Sequence, residues 1–300
     1  MNAWKRFAGF CKRNRHMLYI LPWLLGFFLF QAAPMLYSLV CGFTDFHLFR
    51  GISDIGFANY GKILTDAETL GAIGRTLLYT AVTVPLKILT ALAVAYLLHC
   101  SLKGIGVFRT LYYLPSILGS SVAAAVLWKA LFRDGGVVNH LLEMVGLAPV
   151  SWLAEPQAAL WVVILLRVWE FGSPMVLLLA ALQQIPRTML EAARLDGAGG
   201  WAVFWHIQLP MISPVLFYSV LLQICAALQE FNAPFIITDG GPMGSTTLIS
   251  LLIYRNAFGL YEMGYASALA WVLFLLTAVF VGLYLLIGRG RLFDGQEESA

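Results

Sequence analysis

The fold class predicted for this 300-residue chain is an all-α polytopic membrane protein with six transmembrane helices. Three observations carry that prediction. Hydrophobic residues make up 60% of the chain and charged residues 12%, far from the balance of a soluble globular domain. The apolar residues gather into six runs, each long enough for a helix to cross about 30 Å of hydrocarbon, which takes roughly 20 residues. None of the runs alternates as a barrel strand does, and a helix satisfies its own backbone in lipid.

The runs lie near His16–Cys41, Thr76–Leu98, Val107–Leu131, Gln157–Leu182, Ile212–Ile236 and Tyr265–Ile287. Residues 1–15 form an N-terminal segment, residues 16–289 the six-span domain, and residues 290–300 a tail. The first run comes after a basic stretch (Lys5, Arg6, Lys12, Arg13, Arg15). It is too long for the apolar region of a signal peptide, and Gln31-Ala-Ala-Pro34 is a poor cleavage site, so an uncleaved span is expected. The connecting loops are too short to hold a separate folded domain.

Lys and Arg placement sets the orientation. Eleven fall on the side of the N-terminus: the five above, Lys103, Arg109, Arg187, Arg194, Arg289 and Arg291. Six fall on the other side: Arg50, Lys62, Arg75, Lys129, Arg133 and Arg255. Both termini are therefore expected in the cytoplasm. The net charge of +3 reflects this topology and gives no reason to expect nucleic acid as a partner. Cys11, Cys41, Cys100 and Cys225 are scattered, without C-x-x-C or histidine spacing, so neither a disulfide framework nor a metal site is expected.

Between the fourth and fifth runs lies one polar interruption, about residues 183–211, on the expected cytoplasmic side. Pro186 is placed to open a helix, with Glu191 in its first turn. Gly197 permits the tight turn that ends it, and Asp196 beside it can cap the next helix. That second helix, about Trp201 to Gln208, stops at Pro210. On it Trp201 and Trp205 stack at i, i+4, as do Val203 and Ile207, with Phe204 between. The result is a compact aromatic knob. On spacing alone it is equally a surface hairpin whose rings sit at headgroup level.

The string Glu191-Ala-Ala-Arg-Leu-Asp-Gly197-Ala198, ending Ile207-Gln-Leu-Pro210, decides between these. It resembles the EAA loop of permease subunits of binding-protein-dependent ABC importers. The resemblance spans most of the chain, about Tyr19 to Gly288. It implies a type I importer permease fold with cytoplasmic coupling helices, in a bacterial-type cell membrane. It further implies a second permease, two ATPase subunits and an extracytoplasmic solute-binding protein as partners, besides membrane lipid. On that reading Glu191 and Arg194 are polar contacts to the ATPase, and Ala192, Ala193 and Ala198 allow close approach. Gly197 makes the bend, and Phe204 and Ile207 seat the knob against its own bundle.

Two further motifs support the same family. Thr238-Asp-Gly-Gly-Pro242, followed by Tyr254-x-x-Ala257-Phe258, resembles the maltose/glycerol-3-phosphate branch, which implies transport of a sugar or related polyol. Phe57-Ala-Asn59-Tyr60 before Arg75-Thr76-Leu77 resembles its sugar-type members. The neighbouring Gly56 to Ile63 stretch nearly matches a phosphate-binding loop. However, Ile63 stands where a magnesium-binding hydroxyl belongs, and no strand is expected before the glycines. No cofactor is expected on this chain, ATP and magnesium belonging to the partner ATPase subunits, and the chain is not expected to be an enzyme.

Polar residues within the spans are the remaining candidates, because charge in hydrocarbon faces protein or water. Arg167 and Glu170 are three apart and can pair on one helix face, and Lys87 lies mid-span. These three are read as structural or subunit-interface groups. Gln223 lies further back on the fifth span. Gln229, Glu230 and Asn232, with Phe231 interleaved, either face the solute path or bind helices together. The rival reading is a self-contained ion-coupled transporter or channel, with Lys87, Arg167, Glu170 and Glu230 as its ion path. An intramembrane enzyme lacks any motif here.

Overall fold

The computed structural model describes residues 15–99, 105–118 and 122–293. The segment before residue 15, Cys100 and Lys103, and the tail beyond residue 293 lie outside them. Among the described residues the structure is helical, and the only extended pairing is two isolated bridges, Thr44 with Ile55 and His47 with Gly51.

Among the described residues four helical runs are long and apolar enough to span a membrane: Tyr19–Gly42, Ala67–His99, Pro156–Gln183 and Met263–Gly288. Two more qualify only as bent pairs. Gly106–Ile117 with Val122–Met144 bends by 94°, and Gly200–Met211 with Ser213–Leu228 by 69°. Counting each pair as one span gives six.

The fifth span is not the single helix expected, while residues 119–121 of the third lie outside those described. In the fifth, helix Ser213–Leu228 stops and a short helix Asn232–Ile237 begins. Pro234 lies four residues after Glu230, so a continuous helix would drive its ring into the Glu230 carbonyl.

The chain divides into two compact units. One comprises Met1–Leu64 and Ile253–Trp271, the other Thr65–Leu252 and Val272–Ala300. In the first, Asn59 Nδ2 donates to the carbonyls of Gly42 (3.0 Å) and Thr44 (2.8 Å), pinning helix Ala58–Thr65 to the end of the first span. Asp45 Oδ1 accepts the N–H groups of Ser53 and Asp54, both at 2.8 Å. Those donors, Asp54 first, hold its carboxyl below the ordinary 3.8. Lys62, the lysine of the near-match to a phosphate loop, instead pairs with Glu262 at 3.3 Å and lies over the Tyr265 ring.

The second unit is built around helices Ala67–His99 and Pro156–Gln183. Asp66 caps the former, accepting the Thr69 N–H at 3.0 Å. The latter is the central element, with 61% of its most apolar window buried. One apolar cluster gathers Tyr79, Val84, Val162, Val163, Leu166 and Ile237. A second gathers Ala91, Ala95, Met175, Leu178, Leu182 and Ile212. Lipid tails are as apolar as leucine, so close packing and polar contacts drive this association. Ala91 and Ala95 have no exposed surface and let backbones approach. Gly172 does the same, for a Cβ there would meet the Tyr112 carbonyl oxygen at 2.8 Å and Tyr113 Cα at 2.9 Å.

Candidate functional site

The 183–211 interruption folds as two helical pieces joined at Gly197. Helix Arg187–Leu195 begins after Pro186, so its first turn ends before Glu191, which falls in the second turn and not the first as expected. Gly197 has φ +82°, the left-handed region that glycine enters without a Cβ clash. Its N–H donates to Arg194 O (3.1 Å) and the Ala198 N–H to Ala193 O (2.9 Å), the paired pattern that closes a helix on a left-handed glycine. Asp196 does not cap the next piece as expected. Gly199, in extended conformation, stands at that position, and no side chain fills the role.

The second piece runs through Gly200–Val203, a wider π turn at Phe204–Gln208, and Leu209–Met211. It therefore does not stop at Pro210. The π turn lets the Leu209 N–H reach Phe204 O and so admits a proline that a regular ladder would reject. It also changes the phase of the knob's face. Trp201 and Trp205 meet edge to face at 75° instead of stacking, and Trp201 stacks on Phe204 at 27°. Phe204 is buried and meets Tyr96 of helix Ala67–His99 at 4.7 Å between ring centres. Glu191, Ala192, Arg194, Asp196, Gly197 and Pro210 are exposed, while Ala193, Ala198 and Ile207 are half-buried. An open groove of 790 Å³ runs beside these pieces, with Tyr96, His99, Glu191 and Arg194 on its walls.

A second polar centre lies within the bundle. Arg167 Nη1 donates to Glu170 Oε2 at 2.6 Å, as the i, i+3 spacing implies. Arg167 Nε forms a second ion pair, with Glu230. Glu230 sits in the break after helix Ser213–Leu228, and its Oε1 accepts the Ala233 N–H at 3.0 Å, capping the next helix. Both carboxylates are buried, Glu170 at 6% and Glu230 at 4% exposure. The three charges form a cluster joining two helical segments.

Beside this cluster is a 90 Å³ cavity lined by Tyr79, Thr83, Lys87, Arg167, Gln223 and Glu230, with apolar neighbours. Of the residues proposed for the solute path, Glu230 reaches it. Gln229 and Asn232 are exposed elsewhere, and Phe231 stacks on Phe235 at 5.1 Å. Tyr79 and Thr83 were not among the residues expected from sequence. Their i, i+4 spacing, continued by Lys87 one turn further, is the signal that could have found them.

The glycine turn after the fifth span is closed by its own hydroxyls. Thr246 Oγ1 donates to Gly241 O at 2.9 Å and Thr247 Oγ1 to Gly240 O at 3.1 Å. The Thr247 carbonyl accepts from Arg75 Nε at 3.1 Å. Both threonines are buried, so the turn is a fixed piece of structure and not a slack connector.

Residues 67–292 match the family described as binding-protein-dependent transport system inner membrane component. The chain is 41% identical over 273 residues to the probable ABC transporter permease protein YesP of Bacillus subtilis, covering 90% of this chain and 87% of that one. It is 35% identical over 239 residues to the trehalose/maltose transport system permease protein MalF of Thermococcus litoralis, covering 79% and 80%. In fold it is similar to a chain of a bacterial ABC transporter involved in import of the acidic polysaccharide alginate. The TM-score is 0.83 with 23% identity, covering 96% of this chain and 99% of that one.

Proposed function

The chain belongs to the family of binding-protein-dependent transport system inner membrane components, a multi-pass protein of the cell membrane, and we propose that it forms half of the path by which an ABC importer takes in a sugar or related polyol. The other half is a second permease. ATP and magnesium are bound by two separate ATPase subunits, and this chain hydrolyses nothing itself. A solute-binding protein delivers the solute from outside, both termini lie in the cytoplasm, and lipid surrounds the exposed apolar faces. The name of one relative, a trehalose/maltose transport system permease, supports the sugar class.

The observation that carries the coupling role is the 183–211 loop. Its first helix ends in a hydrogen-bonded left-handed turn, and its second is anchored by Phe204 on Tyr96. Such a piece moves as one body with the helix beneath it, so closure of the ATPase pair is transmitted as rotation of the spans. Glu191 and Arg194 supply exposed polar contacts to the ATPase, and Ala192, Ala193 and Ala198 leave room for its surface.

The test is uptake into vesicles holding this chain, its partner permease and the binding protein, with and without the ATPase subunits. Uptake that requires both the ATPase and ATP supports the reading. Uptake that persists without them and tracks an ion gradient contradicts it.

A further inference from the structure

The groove beside the knob carries more positive charge than its own residues answer. Arg187 opens helix Arg187–Leu195 and Arg194 stands in its last turn, both exposed and both on the groove wall with His99. Neither arginine makes an ion pair among the described residues, although Glu191 lies four residues from one and three from the other. One carboxylate among two guanidinium groups leaves the groove cationic.

Gln208 adds a second demand. It lines the same groove at 5% exposure, and its Oε1 is buried without a hydrogen-bond partner. A buried carbonyl oxygen left unmatched is costly and calls for a donor. The occupant that fits therefore brings negative charge and N–H groups together. A phosphate offers acceptors alone, whereas an acidic peptide offers carboxylates with backbone amides between them.

This chain carries such a peptide within reach. Residues 294–300 contain three carboxylates, Asp294, Glu297 and Glu298, and no lysine or arginine. They follow helix Met263–Phe293, which is fastened near its end to the start of helix Ser213–Leu228. There the Tyr284 hydroxyl donates to Phe217 O at 3.3 Å, the two rings stack at 4.2 Å, and Gly288 packs directly on the Phe217 ring. From that contact both the way back to Gln208 and the way on to Phe293 lead toward one face, because one helix begins and the other ends there. Gln208 is nine residues back, at most about 14 Å, and Phe293 five residues on from Gly288, about 7.5 Å. Seven extended residues span about 23 Å, enough to enter a groove of 790 Å³.

We propose that residues 294–300 occupy this groove, with their carboxylates on Arg187 and Arg194 and a backbone N–H on Gln208 Oε1, and that they compete there with the ATPase. The site stands on the groove itself, while the competition rests on the coupling reading above, in which Arg194 meets the ATPase. A permease without its ATPase then covers its own exposed arginines, and seating the ATPase releases the tail.

The test is disulfide crosslinking in the full chain with its second permease, the native cysteines replaced. Leu190→Cys places one thiol on the groove wall, and Ser299→Cys or Gln296→Cys places the other on the tail. An intramolecular crosslink is expected without the ATPase, weakened when Arg187→Gln is added and lost when the ATPase subunits are seated. No crosslink from either tail thiol overturns the site, and so does a crosslink found only between two copies. A crosslink present in neutral detergent but lost in phosphatidylglycerol nanodiscs assigns the groove to lipid headgroups and overturns it as well. A second measurement needs no cysteine replacement. Asp294→Asn with Glu297→Gln and Glu298→Gln is expected to tighten ATPase association about three- to tenfold, the scale of a few exposed ion pairs taken from the competitor. Unchanged association, with the crosslink indifferent to the ATPase, overturns the competition. An ATPase that never binds the permease pair contradicts the coupling reading instead, and the crosslink alone still decides the site.

Discussion

Arg167 joins Glu170 on its own helix to Glu230, 63 residues further along the chain, and so ties the central span to the break in the fifth. The break itself arises from Pro234, and Glu230 uses its second oxygen to cap the helix that restarts there. One carboxylate thus closes a backbone discontinuity and an ion cluster together.

Removing one member of that cluster should cost far more than removing both ends. Arg167→Met leaves two buried carboxylates without the guanidinium that pairs with both and is expected to destabilise the chain by about 3–5 kcal/mol. Arg167→Met combined with Glu170→Gln and Glu230→Gln is expected to recover much of the loss. Thermal unfolding of the detergent-solubilised protein reads both, and additive losses would show that the cluster is not a unit.

At Gly172 helix Ile105–Leu118 packs against the backbone of the central span. An added Cβ would meet Ser116 Oγ at 2.7 Å and the backbone of Tyr112 and Tyr113, which cannot swing aside. Gly172→Ala is expected to cost about 1–3 kcal/mol, as overpacking does. The same unfolding assay checks it, and a neutral result would mean the two segments separate freely.

Gly197 separates backbone strain from crowding, because nothing lies within 4 Å of an added Cβ. Gly197→Ala therefore pays only the left-handed conformation, about 1–2 kcal/mol, and transport is expected to survive. Proline cannot adopt φ +82° and has no N–H for Arg194 O. Gly197→Pro is expected to abolish uptake while the chain still inserts, and Glu191→Lys to do the same by reversing the charge of the proposed ATPase contact. Uptake assays paired with membrane fractionation distinguish coupling loss from insertion failure.

Asp45 gives a pH signature outside the membrane spans. Its carboxyl lies below the ordinary 3.8, so its hydrogen bonds to the Asp54 and Ser53 amides are present above that value and lost as pH falls below it. Amide exchange at Ser53 and Asp54, corrected for its intrinsic rate, is expected to be flat from pH 7 down to about 5. Asp45→Ala is expected to speed it across that range. A protected loop in the variant would remove Asp45 from the account.

Much of this was legible in the sequence, for identifiable reasons. Hydropathy located four spans that are long apolar helical runs among the described residues and two that appear as bent pairs, since length and lack of charge are what a bilayer selects. Pro186 and Gly197 marked the first loop helix because each acts on the backbone locally, and Arg167 with Glu170 could be paired from helical spacing. The features that were missed depend on long-range placement or on phase. Glu230 joins Arg167 through tertiary packing, which no local pattern encodes. The π turn at Phe204–Gln208 inserts a residue without a compositional mark, so the Trp201–Trp205 geometry and the role of Pro210 came out differently. The break at Gln229–Phe231 resets the helical face, which is why Glu230 turns inward while Gln229 and Asn232 stay exposed.

The central claim is that the exposed knob meets an ATPase and moves with its cycle. Ala193→Cys, in a chain whose native Cys11, Cys41, Cys100 and Cys225 are replaced, places a single thiol on the first loop helix. Crosslinking is then measured against the ATPase subunits of the assembled importer, in the presence and absence of ATP. A crosslink whose yield changes with ATP is the predicted result. No crosslink from Ala193 or its neighbours, with transport persisting when the ATPase is absent, would contradict the account.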